Sequence, residues 1–193
     1  MKKAILFDLD GTLWDSSLQC TEAWNECIRT KTNLTKQITV NDMHRFMGKT
    51  IDVIAAMMLP ELSEEEQMRI IRLCTDYEKP YLQNHKAQLY QNERETLEML
   101  SKEYELGIVS NCQDGYVPAF LHAHKLGEYF ADIEMSGRTG LDKGSNIKLI
   151  MERNNIESAV YIGDTEGDEK AARFAGIPFI YAEYGFGKAV SPD

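Results

Sequence analysis

Asp8 and Asp10 stand two residues apart at the end of the apolar run Ala4-Ile5-Leu6-Phe7 and directly before Gly11. An apolar run of that length reads as a buried strand, and a glycine at its end lets the chain swing away at once. Side chains two apart on a strand point the same way, so both carboxylates leave the strand end together. Two carboxylates held that close repel each other unless a cation sits between them, which makes a hard divalent metal their natural companion. One acid can then attack while its neighbour handles protons. An acidic turn after a strand is the alternative for a motif this short, and the rest of the chain decides between them.

The elements that must position these acids follow from periodicity. Over residues 16–85 apolar side chains recur at helical spacing without strand-like alternation. Helices are expected at 16–30, from Thr39-Val40-Asn41-Asp42 onward, at 50–59 where Pro60 stops the turn, and from Ser63-Glu64-Glu65-Glu66, whose acids complement the helix dipole. From Asn92 helices and strands alternate: helices to Leu100 and at 115–124, 146–153 and 168–175, strands at 105–109, 159–162 and 179–181, and a short apolar stretch around Ile133. Such alternation predicts a parallel sheet covered on both faces. The expected fold is a doubly wound α/β core (1–15 and 86–193) with an inserted helical cap (16–85). Ligands bind such sheets at the carboxyl ends of the strands, where Asp8, Ser110 and Asp164 all fall.

Asp8-Leu9-Asp10-Gly11-Thr12 resembles the opening motif of the haloacid dehalogenase superfamily, most of whose members are phosphatases, and the three later elements of that family follow in order. Ile108-Val109-Ser110-Asn111 is a strand ending in a hydroxyl residue. Ser110 can donate to a phosphoryl oxygen, and Asn111 adds side-chain and backbone donors, although Ser-Asn is also ordinary turn chemistry. The third element is a lysine, best matched by Lys143 in Gly140-Leu141-Asp142-Lys143-Gly144, with Lys148 as the competitor inside the following helix. An ammonium near Asp8 would keep that carboxylate ionised and neutralise a transferring phosphoryl group. The fourth is Val160-Tyr161-Ile162-Gly163-Asp164-Thr165-Glu166-Gly167-Asp168, a second buried strand delivering acids into a glycine turn.

The resemblance implies the phosphatase branch with the cap after the first strand, the group of phosphoglycolate phosphatases and β-phosphoglucomutases. In it Asp8 is the nucleophile and Asp10 the acid/base. Mg²⁺ is held by Asp8, the Asp10 carbonyl and Asp164, with Asp168 either a ligand or an orienter of the metal's waters and of Lys143. Backbone N–H groups of Leu9, Asp10 and Gly11, with Ser110, Asn111 and Lys143, bind the phosphate. Arg45 and Lys49, in Arg45-Phe46-Met47-Gly48-Lys49-Thr50, are the cap residues expected to meet the leaving group, against a solvated role for each. Trp14 lines the entrance or packs the hinge. A phosphosugar mutase and a non-catalytic phospholigand-binding module are the alternatives to a phosphatase.

Composition narrows the partners. The 193 residues are 43% hydrophobic and 27% charged, as in ordinary soluble proteins, and no apolar run approaches the roughly 18 residues of a membrane span. Met1-Lys2-Lys3 leads into the first strand without a signal-type cleavage site, so a cytoplasmic location is expected. A net charge of −10 disfavours nucleic acid and anionic membranes. The expected partner is a small phosphorylated metabolite, met by a monomer or homodimer. The four cysteines have neither zinc nor C-x-x-C spacing and read as reduced thiols; Cys112 is notable for following Ser110-Asn111. The chain ends at Ala189 to Asp193, soon after Tyr184-Gly185-Phe186-Gly187, where related cores commonly add a strand and a helix.

Overall fold

The computed structural model describes residues 2–188; the terminal stretch from Ala189 to Asp193 lies outside the described residues. The chain opens with β1 (Lys3–Phe7), buried at every residue but the first. A tight turn leads to the two-residue β2 (Trp14–Asp15), followed by α1 (Ser17–Lys31), α2 (Val40–Phe46), α3 (Ile51–Met58) and α4 (Glu64–Asn84). β3 (Gln88–Leu89) returns antiparallel to β2, with Trp14 opposite Leu89 and Asp15 opposite Gln88. Then come α5 (Glu93–Leu100), β4 (Glu105–Ser110), α6 (Tyr116–His124), β5 (Phe130–Met135), α7 (Ser136–Thr139), α8 (Lys143–Arg153), β6 (Ser158–Gly163), α9 (Glu166–Ala175) and β7 (Phe179–Tyr181).

Five strands form one sheet in the order β5-β4-β1-β6-β7, every pairing parallel. This is the doubly wound α/β sheet. Its order reverses at β1, which places a ligand-binding crevice at that strand's carboxyl end. The register lines the strand ends up: Phe7 lies opposite Ile108 on one side and Ile162 on the other. Asp8, Ser110 and Asp164 therefore emerge within one or two residues of a common row.

Alternation along β1 divides the core in two. Ala4 and Leu6 pack with Ile147 and Ile150 of α8 and Ala171 and Ala172 of α9. Ile5 and Phe7 face the other way, into a cluster that continues through Leu9, Leu13 and Trp14 to Trp24, Ile28, Phe46, Ile70 and Ile71 of the inserted helices. The helical insertion thus shares a continuous apolar core with one sheet face.

Three local details differ from the sequence reading. The β2–β3 pair was not expected, because a two-residue strand is too short to carry a period. α8 starts at Lys143 rather than at 146: Asp142 caps it, accepting from Ser145 N at 2.8 Å, although Gly144 reads as a helix breaker. α9 starts at Glu166 rather than at Asp168, behind a capping box in which Thr165 and Asp168 satisfy each other's backbone N–H.

Candidate active site

Gly11 and Gly163 allow the two acidic turns to close together. Gly11 adopts φ +80°, and a Cβ there would lie 2.3 Å from Asp164 Oδ2; a Cβ on Gly163 would lie 2.5 Å from Asp168 Cβ. With both glycines in place, Asp8, Asp164 and Asp168 offer carboxylate oxygens within 4.8 Å of one another, all buried.

Lys143 joins the cluster from the first turn of α8. Its Nζ lies 2.9 Å from Asp8 Oδ1 and 2.5 Å from Asp168 Oδ1. Burial works against its charge, but Asp168 and then Asp8 outweigh that and hold its pKa well above the ordinary lysine value. Burial, then Asp168, raise Asp8, opposed by Lys143. Lys148 is elsewhere, its Nζ 4.1 Å from the Phe174 ring centroid.

Asp168 has both oxygens engaged. Oδ1 meets Lys143, and Oδ2 accepts from Thr165 N at 2.9 Å and Thr165 Oγ1 at 2.6 Å. It braces the lysine and caps α9 at once, which suits the orienting role better than that of a direct ligand. Asp164 is half engaged: Oδ2 accepts from the N–H groups of Phe186 (2.7 Å) and Gly187 (3.1 Å), whereas Oδ1 is buried with no partner among the described residues. Burial, then Asp168, push its pKa up to about 6. Glu166 is exposed and pairs with Lys170 at 2.5 Å, away from the acids.

Asp10 occupies a different environment. Its Oδ1 accepts from Trp14 Nε1 (2.8 Å), Ser16 Oγ (2.7 Å) and Tyr116 OH (2.9 Å), and no hydrogen bond from the described residues reaches Oδ2. Burial raises its pKa; the three donors, Ser16 foremost, oppose the rise. Trp14 is wholly buried and does not line the entrance: it orients Asp10. None of these three partners was anticipated in that role. Tyr116 sits 106 residues away in sequence and carries no local signal.

The expected phosphate-binding groups divide. Ser110 lines the cavity, its Oγ accepts from Cys112 N at 3.3 Å, and its hydroxyl also hydrogen-bonds the Cys112 thiol. The N–H groups of Leu9 and Asp10 have no partner among the described residues, whereas that of Gly11 donates to Trp14 O at 3.0 Å, so Gly11 shapes the turn rather than supplying a donor. The Asn111 side chain bridges to the insertion: Nδ2 donates to Gly48 O at 2.9 Å, and Oδ1 accepts from Ser136 Oγ.

A cavity opens between the carboxyl end of the sheet and the helical insertion, and Asp8, Asp10 and Ser110 line it. The inserted helices contribute apolar lining from Trp24, Met43, Phe46 and Ile54, together with Glu78 of α4. Lys49 reaches this cavity from an exposed position. Arg45 does not: it is exposed, lies 3.9 Å from Asp42 and borders an outer groove with Glu166 and Lys188. Glu78 went unremarked in the sequence because it sits among ordinary helix-surface acids. Cys112 lines the cavity, but burial raises its pKa far above the ordinary thiol value, so it is a poor nucleophile.

The haloacid dehalogenase-like hydrolase family matches residues 5–182 of the chain. A phosphoglycolate phosphatase of Vibrio vulnificus (strain YJ016) is 30% identical over 199 residues, covering 95% of this chain and 85% of that protein. Among solved structures, a haloacid dehalogenase-like family hydrolase from Streptococcus pneumoniae superposes with a TM-score of 0.81 at 26% identity, covering 97% of this chain and 87% of that one. A predicted phosphoglycolate phosphatase from Haemophilus somnus 129PT gives 0.82 at 25% identity, covering 96% and 87%.

Proposed function

The chain belongs to the haloacid dehalogenase-like hydrolases and is a phosphatase of that family, and we propose that it is a Mg²⁺-dependent enzyme hydrolysing small phosphate monoesters through an aspartyl-phosphate on Asp8. The observation that carries this reading is the buried triad of Asp8, Asp164 and Asp168 around Lys143, in which Asp164 Oδ1 has no partner among the described residues. Three carboxylates against one ammonium leave excess buried negative charge, and an all-oxygen donor set fits a hard divalent cation. Asp8, Asp164 and the Asp10 carbonyl would hold Mg²⁺, with Asp168 acting through Lys143. Bound there, the ion would neutralise charge on the phosphoryl oxygens.

The protein's own groups carry the remaining steps. A carboxylate oxygen of Asp8 attacks phosphorus as the ester P–O bond breaks, and the departing oxygen takes the proton that burial favours on Asp10. Water then attacks the phosphorus of the acyl phosphate and gives its proton to Asp10, releasing inorganic phosphate and the Asp8 carboxylate. Ser110, Lys143 and the free N–H groups of Leu9 and Asp10 hold the phosphoryl oxygens throughout. No helix among the described residues is long and apolar enough to cross a membrane. The free state of Cys20, Cys27, Cys74 and Cys112 supports a reducing compartment, and the cytoplasm is the proposed location.

The test is phosphate release from a panel of sugar phosphates, nucleotides, pyrophosphate and phosphoglycolate, the compound in the relatives' name. Release in Mg²⁺, loss in EDTA and a phosphoryl mass increment on the peptide containing Asp8 are expected. Release from no substrate in Mg²⁺, or release indifferent to EDTA, overturns the reading. Transfer to a sugar hydroxyl exceeding release to water assigns a mutase instead.

A further inference from the structure

Glu78 is a buried acid that the reaction above does not use. It is 4% exposed, and it lines the same cavity as Asp8 and Asp10. Trp24 Nε1 donates to its Oε2 from α1, and the Cys20 thiol also hydrogen-bonds the carboxyl. No lysine or arginine pairs with it among the described residues; its chain neighbour Lys79 pairs with Asp76 instead. Burial pushes its pKa up to about 8, against the pull of the Trp24 N–H.

Glu78, held by Trp24 and Cys20 and set beside Trp24, Met43, Phe46 and Ile54, is a polar group on an otherwise apolar stretch of the cavity lining. Its place in the lining of the cavity that holds the nucleophile, on the inserted helices rather than on the sheet, marks it as a contact for the part of the substrate that leaves. Resting on the phosphatase reading, we propose that Glu78 determines specificity: the cavity takes a phosphate ester whose leaving alcohol is uncharged, largely apolar and bears a hydroxyl that hydrogen-bonds Glu78, and it rejects one bearing a carboxylate. A hydroxyl both donates and accepts, so it matches this carboxyl in either protonation form. A leaving-group carboxylate cannot donate. It would be dehydrated against apolar side chains, and Lys49, the one cation among the described lining residues, is exposed at the rim. Phosphoglycolate, whose leaving alcohol bears a carboxylate, is therefore a poor substrate for this chain.

The experiment measures kcat/KM in Mg²⁺ for n-alkyl, ω-hydroxyalkyl and ω-carboxyalkyl phosphates of increasing chain length, with methyl phosphate as the reference ester. In the natural enzyme, at the length that reaches Glu78, the ω-hydroxyl ester should exceed its alkyl counterpart by roughly tenfold and the ω-carboxyl ester should fall below it by a similar factor. The readout in variants is the ratio within each series, so a general loss of rate does not obscure it. Glu78→Leu should erase the hydroxyl preference, and Glu78→Gln, which keeps an acceptor for Trp24, should retain it while relaxing the rejection of the carboxyl ester. A natural enzyme that prefers ω-carboxyl esters, or a Glu78→Leu protein with unchanged ratios, overturns the inference. Failure of the folded natural enzyme to hydrolyse any ester, methyl phosphate included, overturns the phosphatase reading instead.

Discussion

The phenol of Tyr116 donates to Asp10 Oδ1 at 2.9 Å, tying the acid of the first turn to a helix 106 residues away. With Trp14 and Ser16 on the same oxygen, this contact orients the carboxyl and leaves Oδ2 for proton transfer. Tyr116 favours the ionised form, so Tyr116→Phe should raise the pKa of Asp10. Because kcat/KM for phosphoryl transfer needs Asp10 protonated, its alkaline limb should move to higher pH, and the rate should fall about tenfold as the carboxyl loses its orientation. A pH–rate profile checks this; an unmoved limb detaches Asp10 from the acid role.

Asp8→Asn should abolish turnover and the phosphoryl mass increment while circular dichroism and Tm stay near those of the natural protein. The substitution removes a nucleophile at a strand end and creates no cavity. Asp10→Asn should lose roughly 10²–10⁴-fold on alkyl esters and far less on aryl esters, whose leaving groups need no proton. Equal losses on both classes would contradict the assignment.

Asp168 serves two purposes that substitution can separate. Thr165→Ala removes only the capping partner of α9 and should cost about 1 kcal/mol of stability with activity largely kept. Asp168→Ala also frees Lys143, whose Nζ lies 2.5 Å from it, and should lose both stability and most of kcat. Denaturant melts beside steady-state kinetics distinguish them. Full activity in Asp168→Ala would show that Lys143 holds its place unaided.

The acid cluster also sets a pH dependence of stability. The pKa of Asp164 is raised to about 6, first by burial and then by Asp168, so the folded state binds its proton more tightly than the unfolded chain. Its contribution is fully present below the unfolded value near 3.8 and is lost as pH climbs through about 6. In EDTA, Tm should therefore fall between about pH 4 and 6 through this group, and Asp164→Asn should flatten that slope. Mg²⁺ above pH 6, binding the ionised cluster, should raise Tm by a few degrees at millimolar excess. Melts with and without the ion give the comparison, and identical curves would count against the metal site.

Much of the machinery was legible along the chain because each piece is local. An apolar run followed by Asp8, Asp10 and Gly11 is a strand delivering acids into a turn, and 160–168 repeats the construction. The helix–strand alternation after Asn92 implied the parallel sheet, and the sheet implied where its ligands bind. What the sequence could not determine are the relationships between distant groups. The three donors on Asp10 Oδ1 converge only when α6 packs beside the first turn, and of Arg45 and Lys49, exposed cations that both border the outer groove, only the folded segment shows that Lys49 also lines the cavity with the acids. Glu78 is indistinguishable from its acidic neighbours until the packing of α1 against α4 buries it beside Trp24. Local periodicity records which face of an element is apolar; which residue of another element arrives opposite that face depends on long-range packing, and no short window of sequence encodes it.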